Sequence, residues 1–149
     1  MEYFAYSQKT FVYKYVVMMS DTDQFQHMSF ANYLKLMFLA TDALFVACFD
    51  KVFLKQNRLK VLQSKMQFKK QTMAGDNILI KLNSCDRNAS QFSILFTFIM
   101  EGSGDLVGLG RQTYELMDLQ KQLPKELPDE MLGILGPVYV DERHLLYKY

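Results

Sequence analysis

The feature that most constrains the fold is a long apolar segment that follows a strand-like segment near the start of the chain. Residues 34–49 are almost entirely apolar, with charges only at Lys35 and Asp42. Their apolar side chains recur at helical spacing, but further apolar residues fill the other faces, which predicts a helix over 29–49 that is buried on most sides. The segment is shorter than the roughly 20 residues that cross a membrane. We therefore expect no membrane span and a helix packed against a sheet.

Much of the remaining sequence has strand character. Alternating residues with many β-branched and aromatic side chains predict five strands, at 10–20, 58–70, 77–85, 90–101 and 106–119. Residues 74–76, 86–89 and 102–105 are predicted as turns, and the glycines of the last one favour a hairpin. The order is one strand, the long helix and four strands in an antiparallel meander. This predicts an α+β fold in which a curled five-stranded antiparallel sheet wraps the helix.

The last quarter of the chain has less regular patterns. Residues 121–128 are punctuated by prolines and are predicted as a linker, and 128–135 are predicted as a short helix. Residues 136–149 are expected to form a tail or an extra edge element. The whole chain of 149 residues fits a single domain with one core, at about 8–132.

Composition excludes several classes of protein. Half of the residues are hydrophobic and the formal net charge is +1, which argues against disorder and against a nucleic-acid partner. The two cysteines, Cys48 and Cys85, belong to no CxxC or Cys/His cluster. They are expected to be reduced, in a cytoplasmic protein with no metal site and no cofactor.

Polar residues with catalytic potential lie between the first strand and the helix. Asp23 and His27 come just before Ser29, which is predicted to be the N-cap of the helix. The first amides of a helix have no intrahelical acceptor. A carboxylate beside such amides is a workable site for acyl transfer.

This block resembles the signature of the hotdog-fold thioesterases of the 4-hydroxybenzoyl-CoA thioesterase type. Asp21 and Asp23 occupy the acidic positions of that signature, and Tyr33 occupies the position of the tyrosine that opens the helix. His27 stands where plant acyl-carrier-protein thioesterases have histidine. The run at 30–34 is also similar to the enediyne polyketide thioesterases of the same fold. The resemblance implies a hotdog fold.

The resemblance also implies roles for individual residues. Asp23 would attack the thioester carbonyl or activate a water, and the backbone amides of Phe30 and Ala31 would form the oxyanion hole. His27 would polarise the carbonyl or position water, although it could equally hold the loop. Residues expected to contact substrate are Phe25, Ser29, Asn32 and Tyr33. The alternative for Asp23 is a turn-forming role at a strand end.

The implied function is hydrolysis of an acyl thioester carried on coenzyme A or an acyl carrier protein, by a homodimer or homotetramer. The alternative is a non-catalytic hotdog protein that binds an acyl thioester. A hotdog dehydratase is less favoured, because the histidine motif of those enzymes is absent. Six cations are candidates for contacts with coenzyme A phosphates or for ordinary surface charges: Arg58, Lys60, Lys69, Lys70, Arg87 and Arg111.

Overall fold

A computed structural model describes residues 10–144 and 149. Three helices and six strands follow one another as β1 (Phe11–Val16), α1 (Phe30–Cys48), α2 (Lys51–Gln56), β2 (Asn57–Phe68), β3 (Asn77–Asn88), β4 (Gln91–Met100), β5 (Leu106–Asp118), β6 (Leu123–Pro124) and α3 (Asp129–Leu135). The predicted long helix, the five main strands and the short helix after Pro128 are therefore confirmed. The short helix α2 joins α1 to β2.

All strands pair antiparallel in the order β1-β3-β4-β5-β2, with β6 paired to β5. The sheet curls around α1, so the predicted α+β hotdog arrangement is confirmed. The predicted meander of four strands is wrong in one respect: β2 pairs with β5 and not with β3. Tight turns join β3 to β4 and β4 to β5, whereas residues 69–76 form a longer connection that crosses the sheet. Gly102 and Gly104 have φ of 93° and 75° in the turn before β5, which L-residues rarely adopt.

The C-terminal part of the chain continues the sheet rather than hanging free. The short strand β6 lies within the segment that was predicted as a linker. Further on, the amide of Val140 donates to the carbonyl of Ser84 at 2.9 Å, beyond the point where β1 covers the edge of β3. The side chain of Val140 packs on the outer face of the sheet with Cys85, Leu95 and Ile99. The predicted tail is thus an extra edge element over the part of it that is described.

The main core lies between α1 and the concave face of the sheet. Met37 and Ala40 of α1 are fully buried against the inward side chains of β3, β4 and β5. The expectation that α1 is buried on most sides is wrong, because the opposite face is open: Lys35, Asp42 and Val46 are exposed on it, Val46 by 58%. Among the described helices, α1 has the length and apolar composition of a membrane-crossing segment, a character that a sheet-packed core helix shares.

A buried polar network joins the middle of α1 to β5. The hydroxyl of Tyr114 donates to Oε1 of Gln112 at 2.5 Å and contacts Oγ1 of Thr41 at 2.9 Å. Nε2 of Gln112 donates to Oγ of Ser64 and to the carbonyl of Leu34. Burial raises the pKa of Tyr114, so the hydroxyl stays protonated. Each buried polar side-chain atom of this network therefore has a hydrogen-bond partner.

The substitution Tyr114→Phe is expected to destabilise the protein by about 1–3 kcal/mol, because it leaves the buried groups on Gln112 and Thr41 without a shared partner. Urea denaturation followed by circular dichroism measures this. Tyr139→Phe is a matched control, since Tyr139 is 43% exposed and its ring contact with Arg87 survives the change. Equal urea midpoints for Tyr114→Phe and Tyr139→Phe would contradict the assignment of the Tyr114 hydroxyl to a stabilising buried network.

Candidate active site

The segment between β1 and α1 folds back on itself as a compact loop. Thr22 forms an antiparallel bridge with Met28, and the amide of Asp23 donates to the carbonyl of His27 at 2.9 Å. Gln26 takes a φ of 64° at the tip, which lets the chain reverse within a few residues. The loop therefore holds Asp23 and His27 side by side.

The carboxylate of Asp23 is oriented by its own loop. Its Oδ1 accepts from the amide of Phe25 at 2.8 Å and from the amide of His27 at 3.2 Å. Within residues 10–144 and 149, no hydrogen bond to its Oδ2 is found. The side chain is exposed. Asp23 thus forms a turn, which was the alternative prediction for this residue. Its other carboxylate oxygen stays accessible to a ligand.

Asp21 also holds the loop, through one carboxylate oxygen and its backbone carbonyl. Its Oδ2 accepts from the hydroxyl of Tyr15 at 2.7 Å and from the amide of Met18 at 2.8 Å. Burial and the Asp21 carboxylate raise the pKa of Tyr15 to about 12, so that hydroxyl remains a donor. The carbonyl of Asp21 accepts from Nδ2 of Asn32 at 2.6 Å and from the amide of Ser29 at 3.1 Å. These contacts tie β1 to the start of α1.

The backbone amides at the start of α1 form a candidate anion site. Ser29 is the N-cap as predicted, with φ −72° and ψ 155°, but its side chain caps no amide and instead accepts from Nδ2 of Asn32 at 3.0 Å. The amide of Asn32 donates to the carbonyl of Ser29. The amides of Phe30 and Ala31 have no acceptor among the described residues, and the first turn contains no acidic side chain. Two unpaired donors at a helix N-terminus attract negative charge.

The other predicted site residues differ in how accessible they are. His27 is partly exposed, and its imidazole has no hydrogen bond within the described ranges. Phe25 is 66% exposed at the loop tip. Tyr33 is 2% exposed and its hydroxyl contacts Oγ1 of Thr72 at 2.8 Å, while burial raises its pKa. Tyr33 therefore holds the 69–76 connection against α1, and its contact with substrate stays a prediction.

Exposed apolar side chains surround the loop and were missed from the sequence. Phe68, from the end of β2, lies 5.4 Å from the ring of Phe30 and 5.1 Å from the ring of Tyr33. Met73 pairs with His27 through a backbone bridge. Met19, just before the loop in sequence, is 82% exposed. Only the fold brings these segments together, and no local pattern marks them.

A cavity of about 750 Å³ lies at the other end of α1. It is bounded by the C-terminal half of α1, by α2, by the start of β2 and by the end of β5, and none of the predicted site residues lines it. Its walls are mainly apolar, with Phe38, Phe45, Phe53, Leu59 and Leu116 among them.

The candidate cations are scattered over the surface. Arg58 and Lys60 are exposed at the edge of the cavity. Lys70 pairs with Asp105 at 2.7 Å, and the guanidinium of Arg87 lies over the ring of Tyr139. Lys69 is exposed. These positions form no common basic patch.

Arg111, the sixth candidate cation, is held on the outer face of the sheet. It pairs with Asp86 at 2.5 Å and also with Glu142. Cys85 completes a group with metal-ligand chemistry, but burial and the Glu142 charge raise its thiol pKa to about 12. A protonated thiol beside an arginine that already neutralises both carboxylates does not suit a cation.

Comparisons with known proteins identify the family and the fold. The sequence profile of the thioesterase-like superfamily matches residues 17–135. No curated protein sequence matches the chain.

Three solved structures illustrate the likeness in fold. The dynemicin thioesterase is 19% identical, with a TM-score of 0.81 over 89% of this chain and 99% of that one. A 1,4-dihydroxy-2-naphthoyl-CoA thioesterase from Synechocystis is 17% identical, with a TM-score of 0.74 over 86% and 96%. A gentisyl-coenzyme A thioesterase is 22% identical, with a TM-score of 0.71 over 80% and 98%. These likenesses confirm the hotdog fold.

Proposed function

Because the chain belongs to the thioesterase-like superfamily, we propose that it hydrolyses an acyl thioester at the start of α1. The single observation that carries this proposal is the pair of unoccupied amides at Phe30 and Ala31, in the same loop-helix unit as the accessible carboxylate oxygen of Asp23. The thiol carrier is coenzyme A, as in the names of two of the structural relatives, or an acyl carrier protein.

In the proposed mechanism Asp23 acts on the thioester carbonyl, either as the nucleophile or as the base that activates a water. The amides of Phe30 and Ala31 stabilise the negative charge that develops on the carbonyl oxygen, with help from the helix dipole. His27 orients the water or the carbonyl. A thioester is an activated acyl group, so a positioned carboxylate and preorganised donors supply the main requirements of the reaction.

The other proposed contacts follow from exposure around the loop. Phe25 would lie against the acyl group or the thiol arm, since its ring is open to solvent. Ser29 and Asn32 would shape the pocket mainly by holding the loop, because their side chains bond to each other. The alternative function, acyl-thioester binding without turnover, needs the same amides but not Asp23.

A panel of acyl-CoA and acyl-carrier-protein thioesters of varied length tests the proposal by release of thiol. Hydrolysis gives free thiol and carboxylic acid in equal amounts with at least one member of the panel. Tight binding of a thioester with no thiol release would support the binding protein instead.

We also propose that the protein is at least a homodimer joined through β2. Among the described residues β2 pairs on one side only, with β5, and apolar residues such as Val61 and Leu62 are 39% and 42% exposed on it. Exposed edges of this kind are normally covered. Light scattering at micromolar concentration is expected to give twice the 17.5 kDa chain mass or a higher multiple. A stable monomer would contradict the proposal.

A further inference from the structure

The outer face of the sheet, which points away from α1, is buried in its middle. A sheet that is covered on one face alternates along each strand between buried and exposed side chains. The central strand β4 departs from this pattern, because every residue from Phe92 to Ile99 is buried. Leu95 and Ile99 form an apolar cluster with Cys85 of β3, apart from the main core. Something other than α1 therefore covers this face.

The cover is the C-terminal end of the same chain, described at 136–144 and 149, which we call the C-terminal strap. It enters at the edge of β3, where Val140 is 2% exposed and packs on the outer cluster. Farther across the face, the hydroxyl of Tyr149 hydrogen-bonds to Oγ1 of Thr97 in β4. Nζ of Lys65 in β2 donates to the main-chain oxygen of Tyr149 at 2.9 Å. The strap thus has contacts with the outer face from β3 to β2.

Side chains do most of the work of holding the strap in place. Its described residues form a single backbone bridge to the sheet, at Ser84, in place of a ladder of strand pairs. Glu142 of the strap forms an ion pair with Arg111 of β5, whose other partner is Asp86 at 2.5 Å. A segment with few backbone hydrogen bonds to the rest of the domain can open while the domain stays folded. The strap is therefore a separable cover.

The strap decides what else can pack on this face. Two sheets stack face to face at a separation of about 10 Å, and the strap fills that space. Without it, four side chains that now pack with the strap would form an exposed apolar patch: Cys85, Leu95, Ile99 and Leu106. Contiguous apolar patches of this kind promote association. Pairing of β2 with β2 would place two such faces side by side on one dimer.

We propose that the C-terminal strap limits the assembly to a dimer, because it occupies the outer face in place of a second dimer, and that its release lets two dimers of this chain stack sheet to sheet. This inference goes beyond the proposed function: it rests on the β2-paired dimer and not on the role of Asp23. A second copy suits the face because Arg111 keeps Asp86 as a partner after Glu142 leaves. No unpaired charge is then buried by stacking.

Alkylation of Cys85 by iodoacetamide measures whether the strap is seated. Cys85 is 1% exposed and packs against Val140, and burial together with the Glu142 charge raises its thiol pKa to about 12. Cys48 is exposed and is replaced by serine in every sample, so that one thiol reports. Val140→Asp is expected to speed the reaction about 100-fold or more, because an exposed thiol ionises near its ordinary pKa. Tyr139→Asp adds the same charge at a neighbour that is 43% exposed, and should leave the rate unchanged.

Light scattering on the same samples measures assembly. Val140→Asp is expected to double the mass of the wild-type dimer at micromolar concentration, whereas Tyr139→Asp should keep the wild-type mass. Glu142→Lys is a second release variant, because it sets a cation against Arg111 and leaves the apolar cluster intact. It should show the same fast alkylation and the same doubled mass. Circular dichroism checks that each variant keeps its secondary structure.

Each outcome bears on the strap. Fast alkylation with an unchanged mass in both release variants would overturn the inference, since the outer face would then be open and still attract no second dimer. Slow alkylation in both variants would also overturn it, because Val140 and Glu142 would then not hold a removable cover. A wild-type assembly of four chains would contradict it directly, and a wild-type monomer would overturn it together with the β2-paired dimer.

Discussion

Phe30→Pro is expected to lower kcat about 100- to 1,000-fold below that of Phe30→Ala, because proline removes the amide N–H that we assign to the oxyanion hole. Alanine removes the same ring but keeps the amide. The difference in kcat between Phe30→Pro and Phe30→Ala therefore measures the contribution of the backbone N–H.

The local structure accepts proline at this position. Phe30 is the first residue of α1, where proline is favoured because the amide has no intrahelical acceptor. Ser29 before it has φ −72° and ψ 155°, the extended conformation that a residue preceding proline adopts. Circular dichroism and light scattering should match those of Phe30→Ala. Equal kcat for the two variants would show that the Phe30 amide does not bind the reacting oxygen.

Asp23→Asn is expected to reduce turnover by at least about 100-fold, because a positioned acid–base group contributes on the order of 100- to 10,000-fold. Asparagine keeps an oxygen that can accept from the amides of Phe25 and His27, so the loop should keep its shape. The amide side chain is neither a base nor a nucleophile. Steady-state thiol release from the best substrate of the panel measures the effect.

Asp21→Asn is the matched control for this change. Its carboxylate bonds to the hydroxyl of Tyr15 and the amide of Met18, so the substitution weakens a structural contact. We expect lower thermal stability with a smaller loss of kcat than for Asp23→Asn. A larger kcat loss in Asp21→Asn would exchange the roles assigned to the two carboxylates.

Local patterns were sufficient to predict most of the fold. The helical period in the apolar segment located α1, and alternation located the five main strands, because both depend on neighbours along the chain. The turn at 102–105 was predictable because its glycines suit left-handed backbone. The acidic block was recognisable because Asp23, His27 and the helix start are close in sequence.

Features that depend on distant parts of the chain were not predictable. The placement of β2 beside β5 depends on how the 69–76 connection crosses the sheet. The open face of α1 was missed because many of its exposed residues are apolar, although Lys35 and Asp42 both lie on it. Likewise Phe68 at the site and the cavity at 57–61 arise from packing of segments far apart in sequence. Of these features, the edge position of β2 is the one that supports the proposed dimer.

The central claim is that the Asp23 carboxylate acts as nucleophile or base in thioester hydrolysis at the start of α1. The most direct test of this claim compares binding and turnover in one Asp23→Asn sample. Calorimetry measures affinity for the best thioester of the panel, and thiol release measures turnover beside the wild-type protein. We predict that the variant binds the thioester with an affinity close to that of the wild type and releases almost no thiol. Thiol release at the wild-type rate by Asp23→Asn would contradict the claim.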